Sequence, residues 1–211
     1  MTRRKFFEWS GVAAGVVLIA FGIGALVLGI NGRSEVQSTL AREQIVGSPD
    51  MTPTAIKAEA QKAGLDVATL DLPTVSVAGE KIDTGTEAKA FASYMRIHAL
   101  EATQGQTYAQ MGRFLDENGK PTSDEAQAAK DPQTGAPVEN AARNIWVTET
   151  ALATALNTSF MAERLSVFGM VVGIALLLSG VGFIVLALGG ALRRRGPEGA
   201  AAPAAEPIPA P

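Results

Sequence analysis

No cysteine occurs among the 211 residues, so the chain has no disulfide, no thiolate metal ligand and no catalytic thiol. Histidine occurs once, as His98. A zinc site of the HExxH type, or an iron site with two histidines and one carboxylate, needs a second imidazole that a single chain of this sequence does not supply. Charge is also scarce: 18% of residues are charged, against about a quarter in a typical soluble domain. The glycines precede no strand-to-helix phosphate turn and no GxxxxGK[ST] motif is present, so nucleotide binding has no support. The carboxylates are scattered, without calcium-loop spacing.

The missing charge is concentrated in two places. Glu8 to Arg33 encloses 24 uncharged residues and Arg164 to Arg193 encloses 28. Each run exceeds the roughly 20 apolar residues that cross a hydrocarbon core about 30 Å thick. Residues 11–30 and 165–192 show no polar stripe, and in lipid such runs become helical despite their glycines, because the backbone must satisfy its own hydrogen bonds. The expected fold is mainly α: two transmembrane helices, 11–32 and 165–192, forming a hairpin around a small helical extracytoplasmic domain and stalk, 33–164.

Orientation follows from the flanking cations. Arg3, Arg4 and Lys5 precede the first span and Arg193, Arg194 and Arg195 follow the second, whereas the intervening loop holds 12 basic and 18 acidic residues. Residues 1–10 and the tail 193–211 are therefore expected in the cytoplasm. The tail from Gly196 carries five of the 11 prolines and reads as a disordered extension. Thr2-Arg3-Arg4-Lys5-Phe6-Phe7 also has the form of a twin-arginine export motif, although positive-inside charge accounts for the same residues. The first apolar run is longer than a signal-peptide core and lacks a small-x-small cleavage site, which favours an uncleaved anchor. Inside the spans, Gly11/Gly15, Ala20/Gly24, Ala25/Gly29 and Gly169/Gly173 are small-xxx-small pairs that permit close helix packing. Neither span holds an ionisable residue, which disfavours an ion or proton pathway.

Between the spans, Ser34 to Gln44 can continue the first helix until Gly47-Ser48-Pro49-Asp50 breaks it. Thr52-Pro53 opens a short helix over 53–63 that stops at Gly64. Residues 73–82 alternate weakly, as a strand or extended loop. Thr84-Gly85-Thr86-Glu87 is a capping box heading a core helix that ends by Gly105. A short polar helix is expected over 123–130, and a helix from Val138 to Leu192, with Ile145, Leu152, Leu156 and Phe160 as its seam. His98, with Glu101, Ser93 and Tyr94 near it in sequence, has the composition of a general base but the spacing of an ordinary helix. Phe91, Tyr94, Met95, Tyr108 and Phe114 form either a core or the lining of a ligand pocket.

The segments REQIVGSPDMTP, AGEKIDTGTEAKAFASYMRIHALEATQGQTYAQMGRF and ENAARNIWVTETALATALNTSFMAE resemble a family of two-span actinobacterial membrane proteins, often catalogued as aromatic ring-opening dioxygenases. The resemblance implies a plasma-membrane address; the catalogue name implies non-haem iron, for which this chain lacks the second histidine. The residues themselves point to a non-enzymatic envelope protein without cofactor or catalytic residue. Its partners would be the lipid bilayer and a membrane or envelope protein, or a second copy, and the acidic loop argues against nucleic acid. An extracytoplasmic sensor or ligand-binding module is the alternative, and a ring-opening dioxygenase, as the catalogue name says, is a further one.

Overall fold

Two helices account for nearly half of the residues that the computed structural model describes, 3–189, with side chains from Lys5 onward. Helix α1 covers Arg3–Arg42 and helix α4 covers Ala142–Leu188, with α2 (Pro53–Lys62) and α3 (Gly85–Ala102) between them. At 1.5 Å per residue α1 is about 60 Å long and α4 about 70 Å, each roughly twice the hydrocarbon thickness. Both are long and apolar enough to cross a membrane, and only 17% of the most apolar stretch of either is buried. A soluble core helix of that composition would be mostly covered by protein.

The described residues divide into two compact units, one comprising 3–27 and 171–189, the other 28–170. In the second unit the local signals act as chemistry requires. Thr52 Oγ1 accepts the Ala55 N–H with Pro53 at the first helical position. Gly64, at φ +74°, closes α2, with Leu65 N–H donating to Ala60 C=O and Gly64 N–H to Gln61 C=O. Thr84 and Glu87 form the reciprocal capping box of α3. The same two-bond closure ends α3, but there two successive residues are left-handed, Gln104 at φ 53° and Gly105 at φ 79°.

Residues 73–82 are extended without forming a strand. They are tied to the 45–51 segment by Gly47 N–H to Glu80 C=O, Ile82 N–H to Ile45 C=O and Val77 N–H to Met51 C=O. Val77 and Ile82 thereby enter a core with Leu40 of α1, Ile56 and Ala60 of α2, Ala88, Ala92, Tyr94 and Ile97 of α3, and Leu156 of α4. The Tyr94 hydroxyl donates to Val75 C=O, and burial raises its pKa. A second cluster joins Ala99, Leu100, Met111 and Trp146, the indole N–H donating to Gln106 C=O and Thr103 Oγ1.

Three sequence expectations need correction. Over 123–130 only one 3-10 turn forms, Glu125–Gln127, because Ala129 N–H donates to Leu115 C=O and leaves the helical path. Leu115 belongs to β1 (Phe114–Leu115), paired antiparallel with β2 (Pro121–Thr122) across the turn at Asp116. Helix α4 starts at Ala142, not Val138, since Val138 is held on both sides by Ala129 C=O and Leu115 N–H, and Asn140 Oδ1 accepts the Ala142 N–H. The buried face of the first half of α4 carries Trp146, Glu149, Leu156 and Glu163, while Ile145 and Leu152 are exposed beside it. Steps of three and four through the half-buried Ala153 and Phe160 complete that seam, and two of its positions are acidic, which an apolar pattern does not reveal.

Candidate functional site

Within the unit of 1–27 and 171–188, glycines set how closely α1 and α4 approach. A Cβ at Gly22 would lie 2.8 Å from the Gly173 carbonyl oxygen, and one at Gly173 equally close to that of Gly22. One at Gly15 would meet the Gly180 carbonyl at 2.6 Å and Ile184 at 2.5 Å. Rising positions of α1 meet falling positions of α4, so these segments run antiparallel. The glycines recur every seven residues, the period that keeps one face of a helix on its neighbour in a left-handed supercoil.

Of the predicted packing residues, Gly11, Gly15 and Gly173 are buried and Ala25 is half-buried. Ala20 is exposed, and a Cβ at Gly24 would meet nothing within 4 Å. In the second unit, Gly29 lies against the Ser166 carbonyl at 2.7 Å, Gly32 against its hydroxyl, and Gly169 is half-buried. A four-residue spacing rule finds buried positions in three of the four pairs, none in Ala20/Gly24, and passes over Gly22 and Gly180. Of the orienting cations, Lys5 is exposed, Arg3 and Arg4 lie in the first turn of α1, and Arg193, Arg194 and Arg195, like the tail, lie outside the described residues.

Just beyond the charge-free stretches, Glu163 joins three helices. Its side chain is 9% exposed; Oε1 accepts from Arg33 Nε at 3.1 Å, and Oε2 accepts the Gly85 N–H at 2.7 Å. The carboxylate thus meets the N-terminal end of α3, where free amides and the helix dipole favour an anion. Gly85 permits the approach: a Cβ there would lie 2.8 Å from the Phe160 Cα.

The other concentration of titratable groups surrounds His98. Nε2 lies 3.4 Å from Asp50 Oδ2 and 3.5 Å from Glu59 Oε2, bringing together α3, the turn before α2, and α2 itself. Asp50 Oδ1 accepts from the Ser48 hydroxyl, the leading cause of a carboxyl pKa below its usual 3.8. Of the groups suggested by sequence as partners of His98, Ser93 donates to Lys89 C=O, Tyr94 donates to Val75 C=O, and Glu101 is exposed. Beside His98 an open groove of about 520 Å³ runs between α3 and α4, lined by Met95, Ala99, Ile145 and Glu149.

No family model, curated protein or solved structure matches this chain. Its chemistry therefore rests on the geometry alone. Phe91, Tyr94 and Met95 belong to the main core, whereas Tyr108 is 46% exposed. What the arrangement can do is hold two long helices tightly, couple them through Glu163 to the end of α3, and present His98, Asp50, Glu59 and the adjoining groove to solvent.

Proposed function

We propose that this chain is a two-span protein of the plasma membrane in which the helices form a hairpin, with both termini in the cytoplasm and residues 33–164 outside. Its role is structural: the outer domain binds a membrane or envelope protein, or a second copy, and catalyses no reaction. One observation carries the membrane reading. The charge-free parts of α1 and α4 turn their glycines toward each other and leave Phe21 (70%), Leu28 (74%), Phe168 (63%) and Leu178 (70%) exposed, an arrangement that suits lipid and would aggregate in water. The interaction role is supported by Ile145, Val147, Leu152 and Met161, large apolar residues left exposed on the part of α4 outside the charge-free run.

Purification in mild detergent tests the interaction role. A stoichiometric partner or a defined oligomer, lost on Leu152→Glu, is expected. A monomer that recovers no partner contradicts it.

A further inference from the structure

We propose that Asp50, Glu59 and His98 bind a divalent transition-metal ion, zinc by ligand type, with the fourth coordination position open to solvent. The three side chains come from three elements, and one ligand atom of each lies within 4.8 Å of the others. Zinc bonds of about 2.0–2.2 Å at the tetrahedral angle separate neighbouring ligand atoms by about 3.3–3.6 Å. The His98 Nε2 distances to Asp50 Oδ2 and Glu59 Oε2, 3.4 and 3.5 Å, are two such edges. Rotation of one carboxylate closes the third.

The state of Nε2 points the same way. It is shielded from solvent and has no hydrogen-bond partner, although two carboxylate oxygens lie within reach. An imidazolium held only by ion pairing would direct its N–H at one oxygen; Nε2 makes a hydrogen bond to neither, which leaves it free to donate its lone pair to a cation held by all three side chains. Ser48 adds an outer-sphere contact, its hydroxyl occupying Asp50 Oδ1 and leaving Oδ2 for the metal. Two carboxylates and a neutral imidazole compensate a divalent charge, and one nitrogen with two oxygens suits zinc better than calcium or magnesium, which take all-oxygen shells. His98 is 30% exposed, Asp50 39% and Glu59 32%, so the three side chains lie at the surface although Nε2 itself is covered. The ion would pin the 48–51 turn and α2 onto α3.

The test uses the full-length protein in detergent, stripped with EDTA and titrated with zinc by calorimetry and with cobalt by visible absorption. Saturable 1:1 zinc binding, tetrahedral cobalt bands and a zinc-dependent rise in Tm are expected. Loss of an outer-sphere contact typically weakens a metal about 10- to 100-fold. His98→Gln and Glu59→Gln, which remove ligands, should each weaken zinc by at least that much, while Asp131→Asn, far from the cluster in sequence, leaves it unchanged. Folding of each variant is checked by circular dichroism without metal. Wild-type protein indifferent to zinc, or equal affinity in wild type and a folded His98→Gln variant, overturns the proposal.

Discussion

Removing the Glu163 side chain should loosen α3 from both long helices, and the structure sets an order of effects. In Glu163→Ala the Gly85 N–H loses the acceptor it now has at 2.7 Å in a buried position. An unsatisfied buried donor costs about 1–3 kcal/mol, and loss of a carboxylate beside a helix N-terminus adds about 0.3–1 kcal/mol. The Arg33 partner contributes less, because its side chain is 48% exposed and pairs of that kind are worth about 0–1 kcal/mol after solvent screening. The expected losses are about 2–4 kcal/mol for Glu163→Ala and at most about 1 kcal/mol for Arg33→Gln. Glu163→Gln falls between them, since its amide oxygen can still accept from Gly85. Denaturation in detergent micelles, followed by Trp146 fluorescence in a Trp9→Phe background, reads these differences, Trp9 and Trp146 being the chain's two tryptophans. If Arg33→Gln destabilises as much as Glu163→Ala, the surface ion pair and not the Gly85 hydrogen bond dominates, and the reasoning fails.

Gly22→Leu would force a side chain against the Gly173 carbonyl and Leu177 backbone, whereas Gly24→Leu enters open space. Unfolding in SDS should show a loss of about 1–3 kcal/mol or more for the first and little change for the second. Gln104→Gly relieves a left-handed backbone at φ 53° and should stabilise the outer domain by up to about 1 kcal/mol in the same denaturation assay. The Asp131 carboxyl accepts from the Thr134 N–H and hydroxyl and from the Gln133 N–H, which holds its pKa below 3.8. A depressed folded value means that this turn is fully supported above about pH 4 and weakens as pH falls through the lower folded value. NMR titration should show Thr134→Val moving the Asp131 pKa back toward 3.8.

Local chemistry carried much of the architecture. Thr52-Pro53, the Thr84/Glu87 capping box and Gly64 each fix a helix end through contacts within a few residues, and all act at those positions. Features that depend on distant neighbours stayed hidden. Val138 lies in a stretch free of proline and glycine, but its backbone pairs with residues 115 and 129, which delays α4 to Ala142. Glu149 and Glu163 occupy the buried seam of α4, whereas the apolar reading chose Ile145 and Leu152, which the structure leaves exposed. The glycine seam was legible as composition but not as period, because Gly15, Gly22 and Gly29 recur by seven while the smaller spacing of four drew attention to Ala20 and Gly24. Asp50 and Glu59 lie 48 and 39 residues before His98, and no spacing rule joins a turn, a helix and a second helix at that distance.

The absence of cysteine makes sidedness the most direct test of the central claim, because each introduced thiol is the only one present. Glu117→Cys, at an exposed turn of the outer domain, and Thr2→Cys and Ala200→Cys near the two ends, are to be treated in intact cells with a membrane-impermeant maleimide. Position 117 should label at once, and positions 2 and 200 only after the membrane is permeabilised. Labelling of 2 or 200 in intact cells, with 117 protected, would contradict the topology.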